Sequence, residues 1–133
     1  MLSPDDIRII NENYRQDFNR HDADALQNYY AESVVWTNSN VEGEVTDSKE
    51  VAKQYAAFFE AFPDVYCEFL DDFSENFHNA HRWRMTATNT NKNGEINNIE
   101  IEGFSMLIVD ENGKIIRDHT YFDVNNLNAQ LGT

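Results

Sequence analysis

Asp118 is the residue of this chain whose type and setting point most directly to chemistry. It stands in the alternating segment 115–122, Ile-Ile-Arg-Asp-His-Thr-Tyr-Phe. Side chains two apart share one face of a strand, so Ile116, Asp118 and Thr120 lie together, opposite Ile115, Arg117, His119 and Tyr121. A carboxylate on a covered face is partly desolvated, which lifts its pKa into a range useful for acid–base work. The alternative is a structural carboxylate paired with an arginine near the open end of the strand. Tyr14 is the second candidate. Ile7, Ile10, Tyr14 and Phe18 recur at helical spacing, and only Tyr14 adds a polar tip to that stripe. It is either a core aromatic with a satisfied hydroxyl or a hydrogen-bond donor inside a pocket.

The other reactive side chains are less organised. His21, His78, His81 and His119 show no ligand spacing such as His-x-x-x-His, so no metal centre is expected. His21 falls in a helix–helix turn and is expected on the surface. His81 shares a face with Trp83 and Met85 and borders a pocket if that face is the inner one, whereas His119 shares the opposite side with Tyr121 and a dimer surface. For each, a satisfied structural histidine is the competing reading. Cys67 is the sole cysteine and sits in an apolar run, as a small core residue would. There is no glycine-rich phosphate loop, no Cys-x-x-Cys and no defensible Ser/His/Asp order, and no cofactor is implied.

The element that must position Asp118 is a long hairpin. Residues 99–109 form an apolar run, Asn112-Gly113 centres a polar turn, and residues 115–122 return. In the first arm Ile101, Gly103, Ser105, Leu107 and Val109 share one face, and Glu100, Glu102, Phe104, Met106 and Ile108 the other. Both faces become apolar from Phe104 onward, which predicts a central strand covered on both sides. Upstream, Ser3-Pro4-Asp5-Asp6 starts a helix, with Ser3 as cap and Pro4 in the first turn. Asp22 opens a short second helix carrying Ala25, Leu26, Tyr29 and Tyr30. Residues 33–37 read as a brief strand, followed by a polar loop. Thr46-Asp47-Ser48 caps a third helix whose apolar stripe is Val51, Tyr55, Phe58, Phe59 and Phe62, stopped by Pro63. Strands are predicted over 65–70 and 80–88, and the tail 124–131 adds a helical turn.

With 133 residues, 41% hydrophobic and 13% aromatic, the chain is expected to form one domain over residues 1–133. Its fold class is α+β: three helices first, then a mostly antiparallel sheet that curls around them. Ten Lys+Arg against 24 Asp+Glu give a net charge of −14, which disfavours nucleic acid and anionic membrane surfaces as partners. The start of the chain lacks a basic segment followed by an apolar core, and no window approaches ~18 apolar residues, so a soluble cytoplasmic location is expected.

Several landmarks together resemble the SnoaL-like polyketide cyclases of the nuclear transport factor 2-like superfamily, which also holds ketosteroid isomerase and limonene epoxide hydrolase. They are Ala61-Phe62-Pro63-Asp64, the strand from His81 to Thr88, Glu102-Gly103-Phe104-Ser105, Gly113-Lys114-Ile115, Tyr121-Phe122-Asp123 and Gln130-Leu131-Gly132. Phe18-Asn19, Asp22 and Val34-Val35-Trp36 extend the likeness to the front. The resemblance implies a cone: a strongly curved sheet wrapped around three N-terminal helices, enclosing a deep apolar pocket, with a homodimer formed through the sheet's outer face. Phe104, Met106 and Ile108 suit such a face.

The same resemblance exposes departures. The cyclases' catalytic aspartate falls at Thr120, and a histidine lining their pocket falls at Ser105. The aspartate base of ketosteroid isomerase falls at Asn38. Of its oxyanion hole the tyrosine matches Tyr14, while the acid matches Ser105. Asn89 stands where many relatives carry a histidine. The family's proton-transfer carboxylates are therefore absent, and neither an amide nor a hydroxyl replaces a base unaided.

The expected function is a cofactor-independent cyclase or isomerase acting on a small apolar molecule that bears a carbonyl or hydroxyl group. Asp118 would transfer protons and Tyr14 donate. Asn38, Ser105 and Thr120 would orient the ligand, and Trp36, Tyr55, Phe59, Phe62 and Trp83 would wall the pocket. The alternatives are a non-catalytic binding domain and a dimeric scaffold whose cone is filled by its own aromatics.

Overall fold

The computed structural model describes residues 2–132. Helix α1 (Pro4–Asn19) begins with a capping box in which the Ser3 hydroxyl accepts from the Asp6 N–H and the Asp6 carboxylate accepts from the Ser3 N–H. After α2 (Ala23–Gln27) come β1 (Tyr30–Asn38), β2 (Val41–Asp47), α3 (Ser48–Ala61), β3 (Tyr66–Glu75), β4 (His78–Thr90), β5 (Ile96–Val109), β6 (Ile115–Phe122) and α4 (Val124–Leu131). The strands form one open, curved sheet in the order β2-β1-β6-β5-β4-β3. Every neighbouring pair is antiparallel except β1 and β6, which run parallel.

The predicted α+β architecture holds, with five local differences. The third helix is separated from the second by the β1–β2 hairpin. The expected polar loop is β2, an edge strand with mostly exposed side chains, so it lacks the apolar alternation that would reveal it. Tyr30 opens β1 rather than closing α2, and the tail is an eight-residue helix capped by Asp123 and ended by Gly132 at φ 76°. The parity of β6 is also broken. Ile108 pairs with Arg117 but Val109 pairs with Ile115, so Ile116 is the extra residue of a bulge. Ile115, not Ile116, is consequently the buried partner of Asp118.

Two apolar clusters fill the concave side. One joins Leu26, Phe59, Phe62 and Val65 to Trp83, Met85, Ile99, Ile101 and Leu127. The other joins Ile7 and Val51 to Tyr30, Val34, Trp36, Leu107, Val109 and Ile115. Tyr14, Tyr29 and Tyr55 pack against both, so the seam between the clusters is lined with phenols. Among the described residues no helix is long and apolar enough to cross a membrane.

Candidate functional site

A cavity of about 340 Å³ opens at that seam. The size suits a small organic ligand. Helices α1 and α3 supply one wall through Tyr14, Phe18, Tyr55, Phe58 and Phe62, because the 3.6-residue period turns one stripe of each helix inward. The sheet supplies the other, and here strand pairing sets the order of the polar groups. His81 pairs with Ser105, Ser105 with Thr120, and Thr120 with Asn38, so one row crosses β4, β5, β6 and β1, and all four residues line the cavity. At about 4.8 Å per strand the row is roughly 14 Å long.

Trp36 and Trp83 also line the cavity, whereas Phe59 lies behind it, stacked on His21 with ring centroids 4.9 Å apart. Phe18, Phe58, Met85, Phe122 and Leu127 belong to the wall as well. The apolar stripes and strand parity could have pointed to them, but a sequence does not say which side of a buried aromatic meets a void.

Asp118 is 3% exposed and does not itself line the cavity. It is joined to the wall by two hydrogen-bond chains. In the first, the Tyr30 hydroxyl donates to Asp118 Oδ2 at 2.6 Å, and Tyr30 is bonded to Tyr14 at 2.8 Å and to Tyr55 at 3.3 Å. Tyr14 donates to Tyr55 in a short contact, and Trp36 Nε1 donates to Tyr55 Oη at 3.4 Å. In the second chain the Thr120 hydroxyl donates to Asp118 Oδ1 at 3.4 Å, Ser105 and Thr120 are bonded at 2.7 Å, and Trp83 Nε1 donates to Ser105 Oγ at 3.0 Å. Among the described residues no arginine pairs with Asp118; Arg117 contacts His119 instead. Tyr30 was hidden from sequence reasoning because it reads as the end of α2, although it makes the shorter of the two hydrogen bonds to the carboxylate.

Burial raises the Asp118 carboxyl from 3.8 to about 6, with the Tyr30 and Thr120 hydroxyls pulling it part of the way back. Burial likewise pushes Tyr14, Tyr30 and Tyr55 above the ordinary phenol value, so all three stay protonated. The result is an acid that titrates near neutrality, wired to the cavity through neutral hydroxyls. A hydroxyl both donates and accepts. With Asp118 ionised, the Tyr30 and Thr120 protons point at it, and the hydroxyls behind them follow. When Asp118 takes a proton, one chain can reverse and present a donor to the cavity.

Cys67 lines the cavity with its thiol pushed up to about 12 by burial, so it is not a nucleophile there. His81 is 6% exposed and lowered to about 4 by burial, hence neutral. Among the described residues no three His, Cys, Asp or Glu side chains converge as a metal site would require.

The fold has counterparts among known proteins. The chain superposes on AclR from Streptomyces galilaeus, a candidate hydroxylase, with TM-score 0.82, 20% identity and 98% of each chain covered. A candidate SnoaL-like polyketide cyclase from Shewanella denitrificans gives TM-score 0.81 at 15% identity, covering 95% of this chain and 96% of that one. A candidate polyketide cyclase from Bacillus cereus gives TM-score 0.81 at 18% identity over 98% and 85%. No curated protein sequence matches the chain. At these identities the superpositions speak for the fold alone. The sequence itself, however, matches the model of the SnoaL-like domain over residues 11–118, from the middle of α1 to Asp118 on β6. The chain belongs to the SnoaL-like domain family.

Proposed function

We propose that this protein binds a small, largely apolar molecule bearing a carbonyl or hydroxyl group, and moves a proton on that molecule as a cofactor-independent cyclase or isomerase. The observation that carries this reading is the buried Asp118, joined to the cavity wall by both hydroxyl chains. Because Asp118 stands one layer back, the groups that touch the ligand are Tyr14, Tyr55, Ser105 and Thr120, with Asn38 at the end of the row. A proton leaving the ligand enters a wall hydroxyl while that hydroxyl's own proton passes inward, and Asp118 gains one. The reverse movement returns it, so nothing is consumed. The whole chain, residues 1–133, acts in this reading as a single domain in the cytoplasm.

The test is α-proton exchange on a bicyclic ketone, 2-tetralone, followed by NMR in D2O. Exchange above the buffer rate that follows one ionisation near pH 6 is expected, and Asp118→Asn should lose it by about 10²-fold or more. Binding of 2-tetralone without exchange would leave a binding domain and end the enzyme reading. Binding of neither 2-tetralone nor its hydroxyl counterpart, 2-tetralol, would favour the scaffold.

The same proposal includes a homodimer through the outer face of the sheet. Phe104 and Tyr121 are cross-strand partners there, 44% and 59% exposed, with Met106 and Ile108 half-buried beside them. Exposed aromatics grouped on one sheet face mark an interaction surface. Sedimentation at micromolar concentration should show a dimer, and Phe104→Glu with Tyr121→Glu should convert it to a monomer. A monomeric wild-type protein would remove this part of the proposal.

A further inference from the structure

The mechanism above leaves one buried titratable group on the cavity wall unused, and its surroundings dictate which of its nitrogens holds a proton. Asn79 is 1% exposed, and its Nδ2 donates to Asp72 Oδ1 at 2.5 Å and to Ser74 Oγ at 2.8 Å. A carboxylate accepts only, so the amide nitrogen of Asn79 must face Asp72 and its carbonyl oxygen must face inward. That oxygen lies 2.9 Å from His81 Nδ1 and 3.1 Å from Asn11 Nδ2. A carbonyl oxygen also accepts only, so His81 Nδ1 carries the ring's proton. Asn11 Nδ2 is 3.2 Å from the same nitrogen. The Asn11 amide spends its proton on the Asn79 oxygen, since turning it over would set two carbonyl oxygens 3.1 Å apart, so its contact with Nδ1 requires no lone pair there.

Burial holds the ring neutral, so Nε2 is a bare lone pair. Asn11 and Asn79, which hold the Nδ1 edge, are not part of the cavity wall, whereas His81 is. The opposite edge, with Nε2, is therefore the one turned to the cavity, steadied by the Phe69 ring at a centroid distance of 4.5 Å. Among the described residues nothing bonds to Nε2.

The neighbours in the row point the same way. With Asp118 ionised, Thr120 spends its proton on Asp118, and Ser105 spends its own on Thr120. What the sheet wall offers from His81 through Ser105 to Thr120 is then a run of acceptors. We infer that His81 Nε2 is a ligand-binding acceptor that selects for molecules presenting a hydroxyl, phenolic or enolic O–H at the β4 end of the pocket. This rests on the ligand-binding reading of the cavity and narrows its substrate class from carbonyl or hydroxyl to a hydroxyl donor. Asp72 and Asn79 are positioning residues that hold the tautomer.

A matched pair of probes tests it: 1-naphthol and 1-methoxynaphthalene, with calorimetry for affinity and 15N NMR of the histidine rings. The free protein should show His81 protonated on Nδ1. The naphthol should bind about tenfold more tightly than its methyl ether, the worth of one hydrogen bond, and should shift the Nε2 resonance as the ether does not. His81→Phe should bring the two affinities together, and Asn79→Leu should lose the fixed tautomer as well as the preference. Equal binding of both probes by the wild-type protein would overturn the inference and leave the pocket reading intact. Binding of neither would overturn both. A proton found on Nε2 in the free protein would overturn the inference whatever binds, and needs no variant that folds.

Discussion

Asp118→Asn is expected to stabilise the fold at pH 8, by up to about 3 kcal/mol, while lowering proton exchange by about 10²-fold or more. The folded carboxyl titrates near 6 rather than 3.8 because it is buried, and each tenfold change in proton affinity is worth about 1.4 kcal/mol. A group whose folded pKa is raised helps most below its unfolded value, and that help is lost as pH rises through the folded value. Asp118 therefore lowers stability progressively between about pH 4 and 6 and leaves it reduced above. Asparagine keeps an acceptor for the Tyr30 hydroxyl and has no charge to desolvate. At pH 4, where the carboxyl is already protonated, the substitution should be close to neutral.

His81 acts in the opposite sense over the same window. Its folded pKa is lowered by burial from 6.5 to about 4, so its contribution is present above 6.5 and is lost as pH falls toward 4. In the wild-type protein the two trends offset each other, and these two groups together leave stability nearly level from pH 4 to 6. In Asp118→Asn only the histidine trend remains, and stability should climb with pH. Urea unfolding at pH 4, 6 and 8 reads both effects. Equal destabilisation of the variant at pH 4 and 8 would show that the aspartate is a structural anchor and not a carboxyl held at a cost for function.

The second large effect is expected at Gly103. It pairs with Trp83 across β4 and β5, and a Cβ built there would clash with the face of the indole ring. The bare backbone is what lets Trp83 lie flat across β5 and reach Ser105 Oγ with its Nε1. Gly103→Ala must push the ring off, at about 1–3 kcal/mol for an overpacked core, which is about 4–11 °C in Tm for a domain of this size. Because Trp83 is also cavity wall and the last donor of the Thr120–Ser105 chain, ligand binding should weaken with it. Thermal unfolding and tryptophan emission report the change. An unaltered Tm with unaltered emission would mean that the ring has an equivalent resting place, and that the glycine is dispensable.

Much of this protein was legible in its sequence because the signals are local. Periodicity marks α1 and α3, Asn-Gly and proline punctuate the turns, and two-residue parity puts Asp118 and Thr120 on one face of β6. Family landmarks give the curved sheet. Where the local signal fails, it does so for physical reasons. β2 is an edge strand with little to bury, so it resembles a loop. Tyr30 sits one residue beyond a helical pattern it happens to continue, and the bulge at Ile116 reverses parity at the start of β6 without any mark in the residue types.

Residue order alone carried the fold class, the family and a short set of polar residues able to face a pocket. Tertiary structure alone decided that Asp118 stands behind the wall and not on it, because that depends on three phenols from α1, β1 and α3 meeting over one carboxylate. It also decided that His81 presents a lone pair to the cavity. A histidine's tautomer is set by which neighbour can only accept, and here that neighbour is Asn79, turned by Asp72 on the adjacent strand.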